Sequence, residues 1–272
     1  MATNKIKKQV KTIDFTGQLI VLGCGTSVGV PAIGCGCDVC RSDDPRNMRT
    51  RCSVILGLPE GNLLIDTSPD LRGQFNREGI GIAHAVAYTH EHSDHVMGFD
   101  DLRLLQFYLG HPVPAYCNQD TRRRLLEAFA YAFADVDQTH VGAVPAVELI
   151  DIDGPFDVLG ARVTPVRLGH GPRFEVLGFR VGNVAYCTDC KTIPDESKPL
   201  LQGLDTLILS ALRPKPHPTH MNIEEAIAAA RDLGAKKTYF THCSCHVDYE
   251  STMNELPPEF EVAWDGLRID LT

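Results

Sequence analysis

Short apolar runs bounded by Gly, Pro and Asn recur through the first half of the chain, and runs of that length predict buried strands. Gln18 to Leu22 is one, closed by the Gly-rich turn Gly23-Cys24-Gly25. Cys52 to Leu58 and Asn62 to Ile65 are two more, and Pro59-Glu60-Gly61 between them predicts a hairpin turn. Ala83 to Thr89 and Val113 to Cys117 follow. From about Thr121 to Ala134 the period changes: Leu125, Leu126, Phe129 and Phe133 fall at helical spacing, which predicts one helix. Strand signals return at Ala161 to Val166, Glu175 to Val181, Val184 to Cys187 and Thr206 to Ser210. Asn222 then opens the clearest helix. It can cap, Glu225 holds the reciprocal capping-box position, and Ile223, Ile227, Ala230 and Leu233 form one stripe before Gly234. A last strand, Lys237 to Thr241, runs into His242. No linker or repeat interrupts this order, so residues 1–272 read as one α/β domain with helices outside the strands. Residues 1–14 read as a flexible tail.

Composition narrows the classes. A chain of 272 residues with 43% hydrophobic content can bury a sizeable core. A net charge of −9 weighs against a protein whose task is gripping nucleic acid, since that affinity comes largely from Lys and Arg at phosphates. No run approaches a membrane span. The first residues hold Lys5, Lys7, Lys8 and Lys11 without an apolar core, so no signal peptide is expected and the cytoplasm is the expected compartment. Ten cysteines in a reducing compartment point to metal rather than to disulfides.

The densest chemistry is the string Thr-His-Glu-His-Ser-Asp-His from Thr89 to His95. Imidazoles and carboxylates are ligands of zinc and manganese, and so many together are costly to fold around unless something binds them. His90 and His92, two apart on an extended segment, can grip one ion, while Asp94 and His95 reach a second after the chain turns. Further ligand types stand at strand ends: His170 between Gly169 and Gly171, Asp189 after Val184-Ala185-Tyr186-Cys187, and His242 after Thr238-Tyr239-Phe240-Thr241. Two nearby cations with a bridging carboxylate would lower the pKa of a shared water and stabilise charge on a phosphoryl or acyl oxygen. Separately, Cys35, Cys37 and Cys40 have C-x-C-x-x-C spacing, which suits a tetrahedral zinc lacking one ligand; Cys245 or His246 could complete it. Cys24, Cys52, Cys117, Cys187 and Cys190 read as packing residues, and Cys243 has no assigned role. Arg103 reads as a partner of Asp100 or Asp101 rather than a phosphate ligand, and His84, His111 and His140 carry no motif.

These motifs resemble the metallo-β-lactamase superfamily, from roughly Gln18 to the C-terminus. The resemblance implies a four-layer αββα sandwich of two mixed sheets with a two-metal site at one edge. It implies one metal on His90, His92 and His170, a second on Asp94, His95 and His242, and Asp189 bridging them. Asp66, in Leu64-Ile65-Asp66-Thr67, resembles the family's aspartate that orders the site without being a ligand. The cysteines narrow the resemblance to the phosphonate-utilisation cyclic phosphodiesterases (5-phosphoribosyl 1,2-cyclic phosphate phosphodiesterase). That family has a structural zinc on C-x-C-x-x-C plus a histidine three residues after the last active-site histidine; here the position is Cys245, with His246 as fallback. His220 resembles that family's extra active-site histidine and is assigned as general acid, ahead of His217. Asp94 and Asp189 complete the expected catalytic set.

The implied function is a metal-dependent phosphodiesterase acting on a small, cyclic phosphodiester through a hydroxide activated by two zinc or manganese ions. A ribonuclease Z-like tRNA 3′ endonuclease is the alternative, but no basic, Gly/Pro-rich arm is evident. A thioester hydrolase would need a larger segment after His242, and a metal-binding module without activity would be expected to lack ligands, yet none is missing. Substrate, active-site metal and oligomeric state, a homodimer included, stay open at this point.

Overall fold

The computed structural model describes residues 10–134, 140 and 142–271. Most of the proposed tail, residues 1–9, therefore lies outside the described residues. Two seven-stranded sheets form the frame. The first contains β1 (Gln18–Gly23), β2 (Ser53–Leu58), β3 (Gly61–Ile65), β4 (Ala85–Ala87), β5 (Val113–Cys117) and β6 (Val147–Asp151). The second contains β7 (Phe156–Val158), β8 (Ala161–His170), β9 (Phe174–Val181), β10 (Val184–Cys187), β11 (Thr206–Ser210), β12 (Lys237–Thr241) and β13 (Phe260–Val262). The last strand, β14 (Arg268–Asp270), returns to the first sheet and pairs antiparallel with β1, Gln18 opposite Asp270.

Both faces of each sheet are covered, which is why the strands read as continuous apolar runs rather than alternations. Leu19, Val21, Val54 and Leu63 face Val163, Phe179 and Tyr186 of the other sheet in the central core. Ile20, Ile55, Leu64 and Val86 face outward onto α1 (Leu71–Glu78), α3 (Leu105–Leu109) and α4 (Gln119–Ala128), the short α2 (Ser93–Val96) lying between the first two of these helices in the chain. On the opposite side Ala185, Leu207, Leu209 and Phe240 meet Ala226, Ala230 and Leu233 of α6 (Ile223–Leu233) and Tyr249 of α7 (Tyr249–Glu255). The layering is αββα.

The expected hairpin is present, with Leu58 opposite Gly61. The single helix expected over 121–134 is two, α4 and then α5 (Ala130–Phe133), because Phe129 leaves helical conformation at φ −119° and ψ 35°. α4 starts two residues before the expected Thr121, and Asn118 caps it, accepting from Thr121 N–H at 2.9 Å. The capping box of α6 is as expected: Glu225 N–H donates to Asn222 Oδ1 at 2.8 Å and Asn222 N–H to Glu225 Oε2 at 2.9 Å. His170 sits on the last residue of β8 rather than in a loop, since that strand runs four residues beyond its expected end. Parallel pairing in both sheets (β3 to β4, and β10 to β11 to β12) brings the carboxyl ends of these strands to one edge, where loops carry chemistry.

Candidate metal centre

Asp66 follows β3, Asp189 lies two residues after β10, and His242 follows β12. All three have left-handed backbones, with φ of 64°, 54° and 58°, and only one other non-glycine among the described residues, Leu159, shares that region. Such conformations cost roughly 1–3 kcal/mol each and persist where the surroundings over-determine them. Here the turn throws each side chain back across the strand ends. His90 and His92 arrive from the stretch after β4, Asp94 and His95 from α2, and His170 from the end of β8.

The structure brings seven of the expected ligands into two sets that share Asp189. His90, His92, His170 and Asp189 can each offer one atom within 4.8 Å of all the others, and so can Asp94, His95, Asp189 and His242. The Asp189 carboxylate divides between them. Its Oδ2 lies 3.7 Å from His90 Nε2 and 3.8 Å from His170 Nε2, while Oδ1 lies 3.3 Å from both His95 Nε2 and His242 Nε2. Asp94 Oδ2 stands 3.2 Å from His95 Nε2 and 3.7 Å from His242 Nε2.

A metal fits these residues. The Nε2 atoms of His90, His95 and His242 are buried, and none makes a hydrogen bond. They aim at shared points rather than at one another. Two atoms each ~2.0–2.1 Å from a tetrahedral zinc stand about 3.3 Å apart, close to the separations around Asp189. The charges agree. Burial opposes the ionised form of Asp189, but His242, His95 and His90 outweigh it and hold the carboxyl well below the usual range. Burial likewise opposes a charged His95, yet Asp189, Asp94 and Asp66 together keep that ring protonated well above its ordinary value. The pocket calls for positive charge, and a divalent cation supplies it to more ligands than one proton can.

Hydrogen bonds on the far side of the rings set their orientation. Asp66 accepts from Thr89 N–H at 2.8 Å, from the Thr89 hydroxyl at 2.8 Å and from His95 Nδ1 at 2.7 Å. The Thr89 hydroxyl gives its one proton to Asp66, so its oxygen accepts from His90 Nδ1 at 2.9 Å. His170 Nδ1 donates to the Thr219 carbonyl at 2.9 Å. Each bond leaves Nε2 free to face the centre. Sequence reasoning missed Thr89 and Thr219, although Thr89 stands directly before His90 in the motif.

His220 is buried against the second set, its ring stacked on His242 at 4.6 Å and tilted to His170 at 4.7 Å. Burial first, then the neighbouring His242, lowers its pKa to about 3. Phe174, 44% exposed, packs edge-on beside the first set, its ring 5.1 Å from that of His92; the sequence reading did not single it out. Arg103 binds both oxygens of Asp100 at 2.7 Å, the pairing its spacing suggested.

The thiols of Cys35, Cys37, Cys40 and Cys245 form a third cluster of possible ligands. His246 is exposed and turned to Ser244, so the structure brings Cys245 and not the fallback to the other three. Cys40 N–H first, then the Cys35 thiol, draw Cys37 down to about 7, while burial first, then Cys37, pushes Cys245 up to about 12. Thiolates that raise one another in this way are relieved by a cation. The same strands of chain are also tied by Arg49, 1% exposed, which donates to the Ser244 and Val247 carbonyls at 3.3 and 2.8 Å. Cys24, Cys52, Cys117, Cys187, Cys190 and Cys243 are all buried.

Fold and site together define a metallo-hydrolase. The chain belongs to the β-lactamase superfamily, whose domain model matches residues 61–243, and within it to the PhnP family. A solved structure of a new diphosphatase from the PhnP family is 43% identical and superposes with a TM-score of 0.87, covering 94% of this chain and 98% of that one. Zn(2+)-bound PqqB from Methylobacterium extorquens has the same fold, with a TM-score of 0.72 at 23% identity over 93% of this chain and all of that one. Among curated proteins, an octanoyltransferase of Porphyromonas gingivalis is 37% identical over 253 residues, which is 91% of this chain and 50% of the relative. The chain thus spans about half the length of that relative.

Proposed function

We propose that the protein hydrolyses a phosphodiester linkage of a small molecule, using two divalent metal ions. His90, His92 and His170 would hold one ion and Asp94, His95 and His242 the other, with Asp189 shared; zinc and manganese both suit these ligands. The observation that carries the reading is the division of Asp189, one carboxylate oxygen toward each histidine set. When bound, such ions lower the pKa of water and stabilise negative charge on phosphoryl oxygens. Cys35, Cys37, Cys40 and Cys245 would hold a separate structural zinc.

The chain's own residues do the rest. Asp66 and Thr89 hold His95 and His90 in one orientation, and the Thr219 carbonyl does the same for His170. Thr188 donates to Asp189 Oδ1 at 2.9 Å and fixes the carboxylate's tilt. His220 is neutral in the resting site; the negative charge of a bound phosphodiester favours its protonated form, and it then delivers that proton to the leaving oxygen.

A cyclic phosphodiester fits this chemistry, because its leaving alkoxide needs a proton. The diphosphatase relative supports a second reading, a diphosphate diester. Its leaving group is a phosphate, stable without protonation, and would depend little on His220. Acyl transfer, suggested by the name of the Porphyromonas relative, calls for an activated thiol or amine. Cys52, a buried thiol that feels the Asp189 charge, is instead pushed up to about 12, by burial first and then by that carboxylate.

The test is hydrolysis of bis(p-nitrophenyl) phosphate, a panel of cyclic phosphates and a dinucleoside diphosphate, with metal content measured on the same preparation. Activity that requires metal and disappears in Asp189→Ala supports the reading. A full metal complement with no cleavage of any of them refutes it.

A further inference from the structure

Ring nitrogens of His90, His95 and His170 are tied by hydrogen bonds to Thr89, Asp66 and the Thr219 carbonyl, but the ring of His220 is held differently. Its Nδ1 is buried and has no hydrogen-bond partner. Its neighbours are other rings: His242 stacked at 4.6 Å, His170 tilted at 4.7 Å and His217 tilted at 5.2 Å. Ring contacts are less directional than a hydrogen bond, so the reach of this ring is set by the backbone that carries it.

That backbone is fastened to the turn that carries Asp189. Met221 N–H donates to the Cys190 carbonyl at 2.9 Å, and the Ser210 hydroxyl accepts from Cys190 N–H at 2.8 Å. One carboxylate then joins the two segments through side chains. Glu225 takes the Lys191 ammonium on both oxygens at 2.8 Å, and its Oε2 also accepts from Asn222 N–H at 2.9 Å. Lys191 stands two residues after Asp189, and Asn222 two after His220. Lys191 N–H adds a bond to the Gly169 carbonyl at 2.7 Å, next to His170. Burial opposes the charge on Glu225, but Lys191 and Asn222 N–H outweigh it and hold the carboxyl below its ordinary value. The helix cap does not call for that charge, since a neutral glutamine also completes a capping box. Stability does not call for it either: the side chains are 22% and 41% exposed, and exposed pairs contribute little. What the pair supplies is geometry, a two-pronged contact between the turn of Asp189 and the segment of His220.

We propose that Lys191 and Glu225 are positioning residues, whose ion pair holds the backbone of His220 in register with the Asp189 turn. The inference rests on the proton-donor reading of His220 above and deepens it. Neither side chain belongs to a ligand set, so the pair acts only through the residues it joins. Its release lets the donor drift from the leaving oxygen, and a misplacement of about 1 Å can cost about 10²-fold in rate.

Two readouts on the metal-loaded full chain test this, with Lys191→Met and with Glu225→Gln, which keeps the cap and removes the charge. On the cyclic phosphodiester that the wild type cleaves best, each variant is expected to lose about 10–100-fold in kcat. Bis(p-nitrophenyl) phosphate, whose leaving group needs no proton, should change less than about threefold, with metal content unaltered. The double variant should be no worse than either single one, and Lys191→Arg should restore most of the loss. Hydrogen exchange of the Met221 amide reads the same register without substrate, and should quicken about tenfold in both variants while the Phe240 amide stays protected. Equal loss on both esters, or Met221 exchange that does not change, overturns the proposal. If Met221 exchange quickens but the wild type cleaves no phosphodiester, the clamp stands and the hydrolytic reading falls. Cleavage that depends on His220 but not on the pair gives the reverse.

Discussion

Asp66 accepts the Nδ1 proton of His95 at 2.7 Å, and both residues are wholly buried. The carboxylate lies outside both candidate ligand sets, yet it sets which nitrogen of His95 faces them. Asp66→Ala would leave that proton without a partner and free the ring to turn. The expected outcome is a loss of metal affinity of about 10–100-fold, read by competition with a chelator. An affinity within twofold of wild type would show that the ring is held by packing alone.

Asp189 is shared between the two ligand sets, so its removal should disturb both ions at once. In Asp189→Ala, metal content is expected to fall at both positions together, with phosphodiester turnover falling by about 10³-fold or more. His92→Ala touches one set only and should spare more of the second ion. Loss of a single ion in Asp189→Ala, measured by elemental analysis, would contradict the bridging role.

As the proposed proton donor, His220 would separate leaving groups. His220→Ala is expected to reduce cleavage of alkyl or cyclic phosphodiesters by about 10²–10⁴-fold, while changing p-nitrophenyl esters far less, because nitrophenolate leaves without a proton. Equal loss on both would remove the proton-donor role.

The same histidine should mark the acid limb of stability. Its pKa is lowered from 6.5 to about 3 in the fold, so the unfolded chain binds the proton more readily. Its neutral form is accommodated without penalty above pH 6.5, and stability is lost as pH falls from 6.5 toward 3. His220→Gln in metal-free protein should flatten part of that slope in denaturant titrations across this window. An unchanged slope would indicate that other buried histidines, His90 above all, account for it.

The cysteine cluster makes a structural prediction. Cys35→Ala and Cys245→Ser should each reduce zinc stoichiometry by about one ion and lower the melting temperature, whereas His246→Ala should do neither. Because Arg49 ties the same segments, the variants should still fold at low temperature. A zinc count that falls in His246→Ala would reassign the fourth ligand.

Much of this arrangement was legible from residue order. His90, His92, Asp94 and His95 are close in sequence, and a strand-loop-helix path keeps them close in space. His170, Asp189 and His242 could be grouped because each follows a recognisable apolar run. Less accessible were β13 and β14, three residues each, whose pairing with distant strands leaves almost no local pattern. The break at Phe129 was hidden because its neighbours keep helical spacing on both sides. Buried Arg49 was invisible for another reason: a lone arginine has no periodicity, and only the folded chain supplies the carbonyls around it. Thr89 could have been found by asking what holds a histidine's second nitrogen.

The two ligand sets draw on both sheets: His90, His92, Asp94 and His95 come from the first, and His170, Asp189 and His242 from the second. Neither half of the chain owns a complete grip. Ions seated here would therefore act as rivets along one seam of the sandwich, and a nascent first half could capture them only loosely. Firm capture would wait until β12 closes its sheet and delivers His242, so metallation would report that the whole fold has been assembled.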